Sequence, residues 1–455
     1  MEVSPGNVAP RILSRPEHII SRKNIDAEAL KVLYRLKNHG FLAYLVGGGV
    51  RDLLLNRRPK DFDLSTSAHP QQVRKLFRNS FIVGRRFRLV HVRFGRKVVE
   101  VATFRRASEP EAGDTLIRRD NTFGTPEEDA FRRDFTVNAL FYDIANFSVI
   151  DWVGGLGDLE ARVIRTIGDP AVRFREDPVR MLRAVALAAR LDFEIDSDTA
   201  EAIRFLRGEI VRSSLPRILE EFYKILRQGQ SRRTFEMLHE YGLLAYLLPE
   251  ADVAIAEGGD ALLGSLDRLD AYRNSGPADP ETLTNPLIAG SLLVPLGVPL
   301  KRVAAPTPAW RRRGAEAVPV EDLDTEIAAL GGEEDGEPEV PSPQPEVVLP
   351  FARRDLERLR LMILAQRRLR EAESPSARQA LASKTYFDEA LRWLDIHGGS
   401  EGRDLAAHWR RVGRKTDQAA SGAHAAPAAE GEKKRAAPRK RRRRRRRPGA
   451  SGPPA

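Results

Sequence analysis

Three consecutive glycines, Gly47-Gly48-Gly49, separate the apolar run Phe41 to Val46 from a short amphipathic stretch, Val50 to Leu55. A strand that ends in glycines and passes into a helix lets backbone N–H groups approach a phosphate closely, with the helix N-terminus behind them. Further on, Lys60 to Ser65 reads as a second strand carrying Asp61 and Asp63. Residues two apart on a strand point to one side, so this pair offers two hard oxygen ligands suited to Mg²⁺. A glycine turn alone is often only a tight turn, and alternating aspartates alone are often a solvated strand face. In strand–turn–helix–strand order they favour phosphate and metal chemistry. Two such ions could activate an attacking hydroxyl and neutralise a leaving pyrophosphate.

The pattern around this unit changes character along the chain. An amphipathic helix precedes it, capped by Asn24 or Asp26, with Ile25, Ala29, Val32, Leu33 and Leu36 on one face and Gly40 as its stop. A helix around Gln71 to Phe77 comes next, then two strands near Phe87 to Phe94 and Val98 to Phe104 joined at Gly95-Arg96-Lys97. Glu128 to Asp143 reads as helical, and the chain turns at Gly154-Gly155. From Asp177 onward the periodicity is helical almost throughout: Asp177-Pro178 is a start signal with Asp177 as cap, and runs continue over Asp198 to Leu206, Pro216 to Leu226 and Ser231 to Leu247. The periodicity lapses between about 304 and 350, where GGEEDGEPEVPSPQPE has the composition of a disordered linker, and resumes at Arg353 to Arg370 and Tyr386 to Trp409.

Further groups could join the chemistry. Glu100, in VVEVATFR, is either a third carboxylate beside the aspartate pair or an exposed strand residue. In Arg132-Arg133-Asp134-Phe135-Thr136-Val137-Asn138, arginines could grip phosphate while Asp134 and Asn138, four apart on the expected helix, reach a ribose; a surface ion-pair cluster is the alternative. Glu176, Asp177, Arg180 and Arg183 place acidic and guanidinium groups where they could read a base edge without a template, unless Asp177 simply caps a helix with solvated arginines. Arg85, Arg86 and Arg88, interleaved with Phe87, suit phosphate contact and base stacking, while His91 reads as a packed or half-exposed histidine.

The net charge of +11 is concentrated at one end: residues 433 to 447 carry 12 basic groups and no acidic one, leaving the other 440 residues near −1. Such a tail could bind RNA phosphates or act as a solubilising extension. The chain has no cysteine, which excludes disulfides and thiolate metal sites. It shows neither a signal-peptide pattern nor an apolar run of the roughly 20 residues that span a bilayer, so a soluble cytoplasmic protein is expected.

Taken in order, LVGGGVRDLL, KDFD, EVATFR, RRDFTVNAL, DWVGGLGDLEARVIRTIG and REDPVRMLRA resemble the bacterial poly(A) polymerase and tRNA nucleotidyltransferase group over roughly residues 15 to 250. The resemblance implies an α+β fold, with a polymerase-β-like nucleotidyltransferase head built on a mixed sheet and followed by all-helical neck and body domains. It implies that Asp61 and Asp63 bind catalytic Mg²⁺, that Asp134 belongs to the active site, and that Gly48, Gly49, Arg51, Arg133 and Asn138 lie near the nucleotide. Glu176, Asp177, Arg180 and Arg183 would then recognise the base. The expected divisions are an N-terminal extension (1–22), head (23–167), neck (168–230), body (231–303), disordered linker (304–350), arginine-rich helical domain (351–414) and disordered basic tail (415–455). The segment IVGRRFRLVHVRF, the region after Ser231 and the late arginine-rich helices resemble the polymerase branch, whereas the acidic segment from about 304 to 350 departs from it as an insertion. The expected substrates are ATP and RNA 3′ ends. The alternatives are a CCA-adding tRNA enzyme and a non-catalytic RNA-binding protein that works through its tail.

Overall fold

The first helix begins at its acidic cap: Asp26 accepts from the backbone N–H groups of Glu28 and Ala29 at 2.9 and 3.1 Å. α1 (Ala27–Asn38) extends from it, burying Ala29, Val32, Leu33 and Leu36, and Gly40 at φ +84° turns the chain out of the helix. The structure is a computed structural model that describes residues 9–84, 88–106, 122–275, 282–300, 349–372 and 374–423.

Eight strands form one sheet: β1 (Arg11–Leu13), β2 (Ala43–Val46), β3 (Asp63–Thr66), β4 (Ser80–Val83), β5 (Leu89–Phe94), β6 (Lys97–Thr103), β7 (Leu140–Asp143) and β8 (Ser148–Asp151). Their order is β1-β8-β7-β2-β3-β6-β5-β4, with β3 and β6 parallel and the other neighbours antiparallel. This is the mixed sheet of the expected α+β head. Helices α2 (Gly48–Leu54), α3 (Pro70–Leu76), α4 (Pro126–Phe131) and α5 (Gly155–Ala161) connect the strands. The register fixes where the glycine turn stands: Val46, the last residue of β2, faces Asp63 on β3 and Phe141 on β7. The turn therefore leaves the sheet beside Asp63.

The helical half starts after a small parallel pair, β9 (Val163–Ile164) with β10 (Glu194–Ile195). α6 (Pro170–Glu176), α7 (Val179–Leu191), α8 (Ser197–Leu206) and α9 (Leu215–Leu226) form the neck. α10 (Ser231–Glu240), α11 (Leu244–Leu247), α12 (Pro249–Ala256), α13 (Asp260–Asn274) and α14 (Asn285–Leu293) continue into the body, with later helices at Arg353–Glu371, Pro375–Ala382, Phe387–His397 and Gly399–Ala423. One apolar cluster runs from Ile20 and the α1 face through Val179, Leu182 and Val185 of α7 to Leu292 and Ile396. Truncating a fully buried leucine such as Leu182 to alanine should cost about 2–5 kcal/mol. Two compact units divide at Ala406 and Ala407; the described part of the second is the end of the Gly399–Ala423 helix. Among the described residues no helix is long and apolar enough to cross a membrane.

Several expectations are corrected. Glu128 to Asp143 is not one helix: α4 stops at Phe131, Thr136–Asn138 is a single 3₁₀ turn, and Leu140–Asp143 is β7. Leu140, Phe141 and Tyr142 are all buried, as in a strand covered on both faces, and such a run is not distinguishable by periodicity from a buried helix. The expected helix from Ser231 to Leu247 breaks at Gly242, φ +69°, into α10 and α11. Asp61 precedes β3 rather than lying on it, so the two-residue strand spacing does not describe the aspartate pair. Asp177 ends α6 instead of capping α7, and Pro178 occupies the cap. The C-terminal helix continues to Ala423, beyond the expected start of disorder at 415. β4 has no counterpart among the expected strands. Arg85, Arg86 and the expected linker as far as residue 348 lie outside the described residues, as does the tail from 424.

Candidate active site

A cavity of about 410 Å³ opens between the sheet of the head and the helices of the neck. That is the size range of small-ligand pockets. Seven arginines and four carboxylates line it, an excess of positive charge fit for a polyanionic ligand. Of the residues expected at the site, Gly48, Asp63, Glu100, Arg133, Asp134, Asn138, Asp177, Arg180 and Arg183 share this lining. Gly49 and Asp61 do not line it, but they touch one another: a Cβ on Gly49 would stand 3.4 Å from the Asp61 carbonyl oxygen. Arg88 is exposed on the approach to β5 and lines neither this cavity nor the smaller one beside it.

The sheet wall is built by β3 and β6. Asp63 starts β3, exposed to the cavity yet enclosed by protein on its other sides. That desolvation, reinforced by the charges of Glu100 and Asp61, pushes its carboxyl up to about 6 despite the pull of Arg133. Among the described residues no group donates a hydrogen bond to it. Glu100, on β6, faces His91 on β5 at 3.2 Å, and its charge still reaches Asp63. Asp61 is exposed, 4.0 Å from Lys60. Asp63 is thus repelled by two neighbouring carboxylates, Glu100 and Asp61, an arrangement that a bound cation would relieve. No group of three or more such side chains is close enough to form a metal cage by itself among the described residues. Mg²⁺ does not need one, since it takes one or two carboxylates together with substrate phosphates and water. The donor set fits that ion.

The glycine turn closes the top of this wall. Gly47 sits at φ +69°, ψ −136°, a region that disfavours side chains, and a Cβ there would lie 3.2 Å from Arg133 Nη1. Arg51 of α2 is buried and held by its neighbour: Nε and Nη2 donate to Asp52 Oδ1 at 2.9 and 2.6 Å, while Nη1 donates to Asn138 Oδ1. Desolvation lowers the Arg51 pKa, against the pull of Asp52. Arg133 is fixed by Asp129, which lies fully buried in α4 and accepts from Arg133 Nη2 at 2.8 Å and from Arg132 Nη2 at 2.7 Å. Burial opposes ionisation of Asp129, but the two guanidiniums outweigh it and lower its pKa. Arg133 Nε is buried with no acceptor among the described residues.

The helical wall is organised differently. Asp134 accepts from Arg180 Nε at 2.8 Å and from Arg183 Nη1. Burial would raise its pKa, yet Arg183 and Arg180 hold the carboxyl far below the usual range. Glu176 accepts from Arg173 Nη1 at 2.8 Å and from Arg180 Nη1 at 2.9 Å. Asp177 is gripped from α9, where Arg217 Nη1 and Nη2 donate to its two oxygens at 2.7 and 2.5 Å. Arg173 Nη2 also donates to the carbonyls of Arg132 and Arg133 at 2.7 and 2.9 Å, tying α6 to the head.

Sequence reasoning misses Asp129, Arg173, Arg217 and Asp52. Asp129 has a readable signal, four residues before Arg133 in a helix with a clear start at Thr125-Pro126. Arg217 has none, since 40 residues separate it from Asp177.

Comparison with known proteins finds likeness over the head and neck. Residues 43–165 match the family described as "Poly A polymerase head domain", and residues 192–255 match "Probable RNA and SrmB- binding site of polymerase A". Poly(A) polymerase I of Salmonella typhi is 51% identical over 261 residues, covering 55% of this chain and 56% of that protein. A CCA-adding enzyme of Lactobacillus helveticus is 40% identical over 217 residues, 47% of this chain and 53% of that one. The crystal structure of the Bacillus stearothermophilus CCA-adding enzyme in complex with CTP aligns with a TM-score of 0.56 and 27% identity, over 85% of this chain and 81% of that chain. The chain spans just over half the length of these two sequence relatives. Over residues 43–165 and 192–255 the chain is thus similar to the bacterial poly(A) polymerases and CCA-adding enzymes.

Proposed function

We propose that this protein transfers AMP from ATP to the 3′-hydroxyl of RNA without a template, releasing pyrophosphate, in the cytoplasm. The observation that carries the reading is the pairing, across one cavity, of the bare sheet carboxylate of Asp63 with a wall of fixed arginines. In the reaction the RNA O3′ forms a bond to the α-phosphorus, the bond from that phosphorus to the bridging oxygen of the β-phosphate breaks, and the hydroxyl proton passes to solvent. Asp61 and Asp63 would hold Mg²⁺, which when bound lowers the pKa of the attacking hydroxyl and neutralises charge on the leaving pyrophosphate. Gly48 at the N-terminus of α2 and Arg133 bind the triphosphate, and Asn138 reaches the ribose. Glu176, Asp177, Arg180 and Arg183 present fixed donors and acceptors to the base edge, so the protein itself replaces a template. Catalysis is then mainly positioning and charge stabilisation.

The polymerase relative aligns at 51% identity over 261 residues, against 40% over 217 for the CCA-adding relative, which favours polyadenylation. A CCA-adding activity remains the second reading, favoured by the structural likeness to an enzyme solved with CTP. Purified protein incubated with labelled ATP or CTP, and with a generic RNA or a tRNA lacking its terminal CCA, separates the two. Long ATP-only tails on generic RNA are the expected result. Addition that stops after C, C and A on tRNA would overturn it.

A further inference from the structure

Seven residues separate Arg183 from Arg190 on α7, two turns and about 10 Å along one helix face. Each meets a different carboxylate of the head. Arg183 meets Asp134 in the cavity, and Arg190 Nη2 donates to Asp52 Oδ2 at 2.7 Å. Asp52 is almost fully buried, whereas Arg190 reaches it from a partly exposed position. The other oxygen of Asp52 holds Arg51, whose remaining Nη1 supports Asn138 in the cavity wall. From the loop after α2, Arg57 donates to the carbonyls of Arg190 and Leu191, both at 3.3 Å, and so fastens the C-terminal end of α7 to the same head helix.

A second cavity of about 260 Å³ lies along this seam, lined by Arg51, Arg190 and Lys224, and it shares Gly48, Asp134, Asn138 and Arg183 with the first. The α2 helix carries the glycine turn, and α7 carries the base-edge arginines. Their mutual register decides whether a triphosphate and its base are met at the same time.

We propose that Asp52 and Arg190 are positioning residues that lock α7 onto α2, so that the phosphate side and the base side of the nucleotide cavity bind ATP as one site. The inference rests on the nucleotide-binding part of the proposed function. A buried carboxylate bound to arginines from two elements has two separable tasks, and Arg190 addresses only the register between head and neck.

The test measures ATP affinity by equilibrium dialysis alongside the melting temperature, for the full chain and its variants. Arg190→Ala should raise the Kd for ATP about tenfold and lower melting less than Asp52→Asn does, because Arg51 still pairs with Asp52 and the Arg190 side chain is partly exposed. Arg190→Lys, which keeps one donor and the charge, should recover most of that loss. Asp52→Asn combined with Arg190→Ala should bind no more weakly than the worse single variant, the signature of one shared contact. Because Asp52→Asn also strips a buried arginine and could unfold the head, Arg190→Ala decides alone if that variant is insoluble. Wild-type ATP affinity in Arg190→Ala, or no recovery with lysine, overturns the inference. Weakened ATP binding in Arg190→Ala, in a protein that fails to extend RNA, leaves the inference standing and removes only the polymerase reading.

Discussion

The two walls of the cavity treat the same functional group in opposite ways. On the sheet wall, Asp63 receives no hydrogen bond among the described residues and has its carboxyl pushed up to about 6 by desolvation and by Glu100. On the helical wall, Asp134 is more enclosed, yet Arg183 and Arg180 hold it well below the ordinary range. Asp134, Glu176 and Asp177 are clamped by guanidiniums, and in clamping them they fix Arg173, Arg180, Arg183 and Arg217 in turn. A carboxylate already neutralised by arginine makes a poor metal ligand, whereas a mutually repelling pair makes a good one. The difference separates the part of the cavity that does chemistry from the part that recognises.

The comparison breaks most sharply at the aspartate pair. Asp63→Asn or Asp61→Asn should reduce RNA extension by at least about 10³-fold, roughly 4 kcal/mol of transition-state stabilisation. Melting should stay level or rise, because each change removes a repelling charge and no described hydrogen bond to Asp63. Wild-type extension by either variant would show that the sheet wall is not the chemical one. The helical wall should respond in the reverse manner. Asp134→Asn takes from Arg183 its described charge partner and leaves the buried Arg180 with Glu176 alone, so urea denaturation should report a loss of about 3 kcal/mol. If Asp134→Asn melts like the wild type while Asp63→Asn unfolds, the assignment of the two walls is inverted.

These walls are not equally legible in the sequence. The sheet wall can be read because most of it is local: the glycine turn, Asp61 and Asp63 follow one another from the end of β2 to the start of β3, and Glu100 lies on the alternating strand β6. Even there Asp61 sits before β3, with its backbone against Gly49, and so falls outside the strand alternation. The helical wall is legible by residue type and by resemblance, but not in its local structure. Periodicity puts Asp134 and Asn138 on a helix that in fact ends at Phe131, because Leu140 to Tyr142 is buried on both faces and has no alternation to betray a strand. What fixes the wall is long range. The partners of Asp177 and Asp134 come from 40 or more residues away, and no spacing rule reports them.

Arg217 offers a gentler way to sharpen the contrast. It lines the cavity and holds both oxygens of Asp177 from a partly exposed position on α9. Arg217→Lys keeps the charge but loses the paired geometry, leaving Asp177 in place with freedom to rotate. The KM for ATP should rise about tenfold, with a smaller change in stability than Asp134→Asn produces. A fall in kcat as deep as that of Asp63→Asn would mean that the helical wall takes part in the chemistry.

The smallest expected effect lies outside the cavity and tests whether clamping by charge is peculiar to it. In the body, His397 meets Ser291 Oγ at 3.0 Å and Arg268 Nε at 3.5 Å, and stacks on Trp393 with ring centres 4.1 Å apart. Burial, helped by the charge of Arg268, lowers its pKa from the usual 6.5 to about 3. Here a buried titratable group is kept neutral instead of being paired. An unfolded chain takes up this proton near pH 6.5 and the folded chain only near 3, so folding stability is fully present above pH 6.5 and declines as the pH falls through that window. Asp134 contributes over a different range: its folded pKa lies below the unfolded value of about 3.9, so its stabilisation is complete above that value and lost only in stronger acid. Melting curves at pH 7.5, 6 and 5 should therefore show a modest decline that His397→Gln flattens and Asp134→Asn leaves unchanged in slope. A decline that persists in His397→Gln would place the acid sensitivity elsewhere, and one abolished by Asp134→Asn would return it to the arginine-clamped wall.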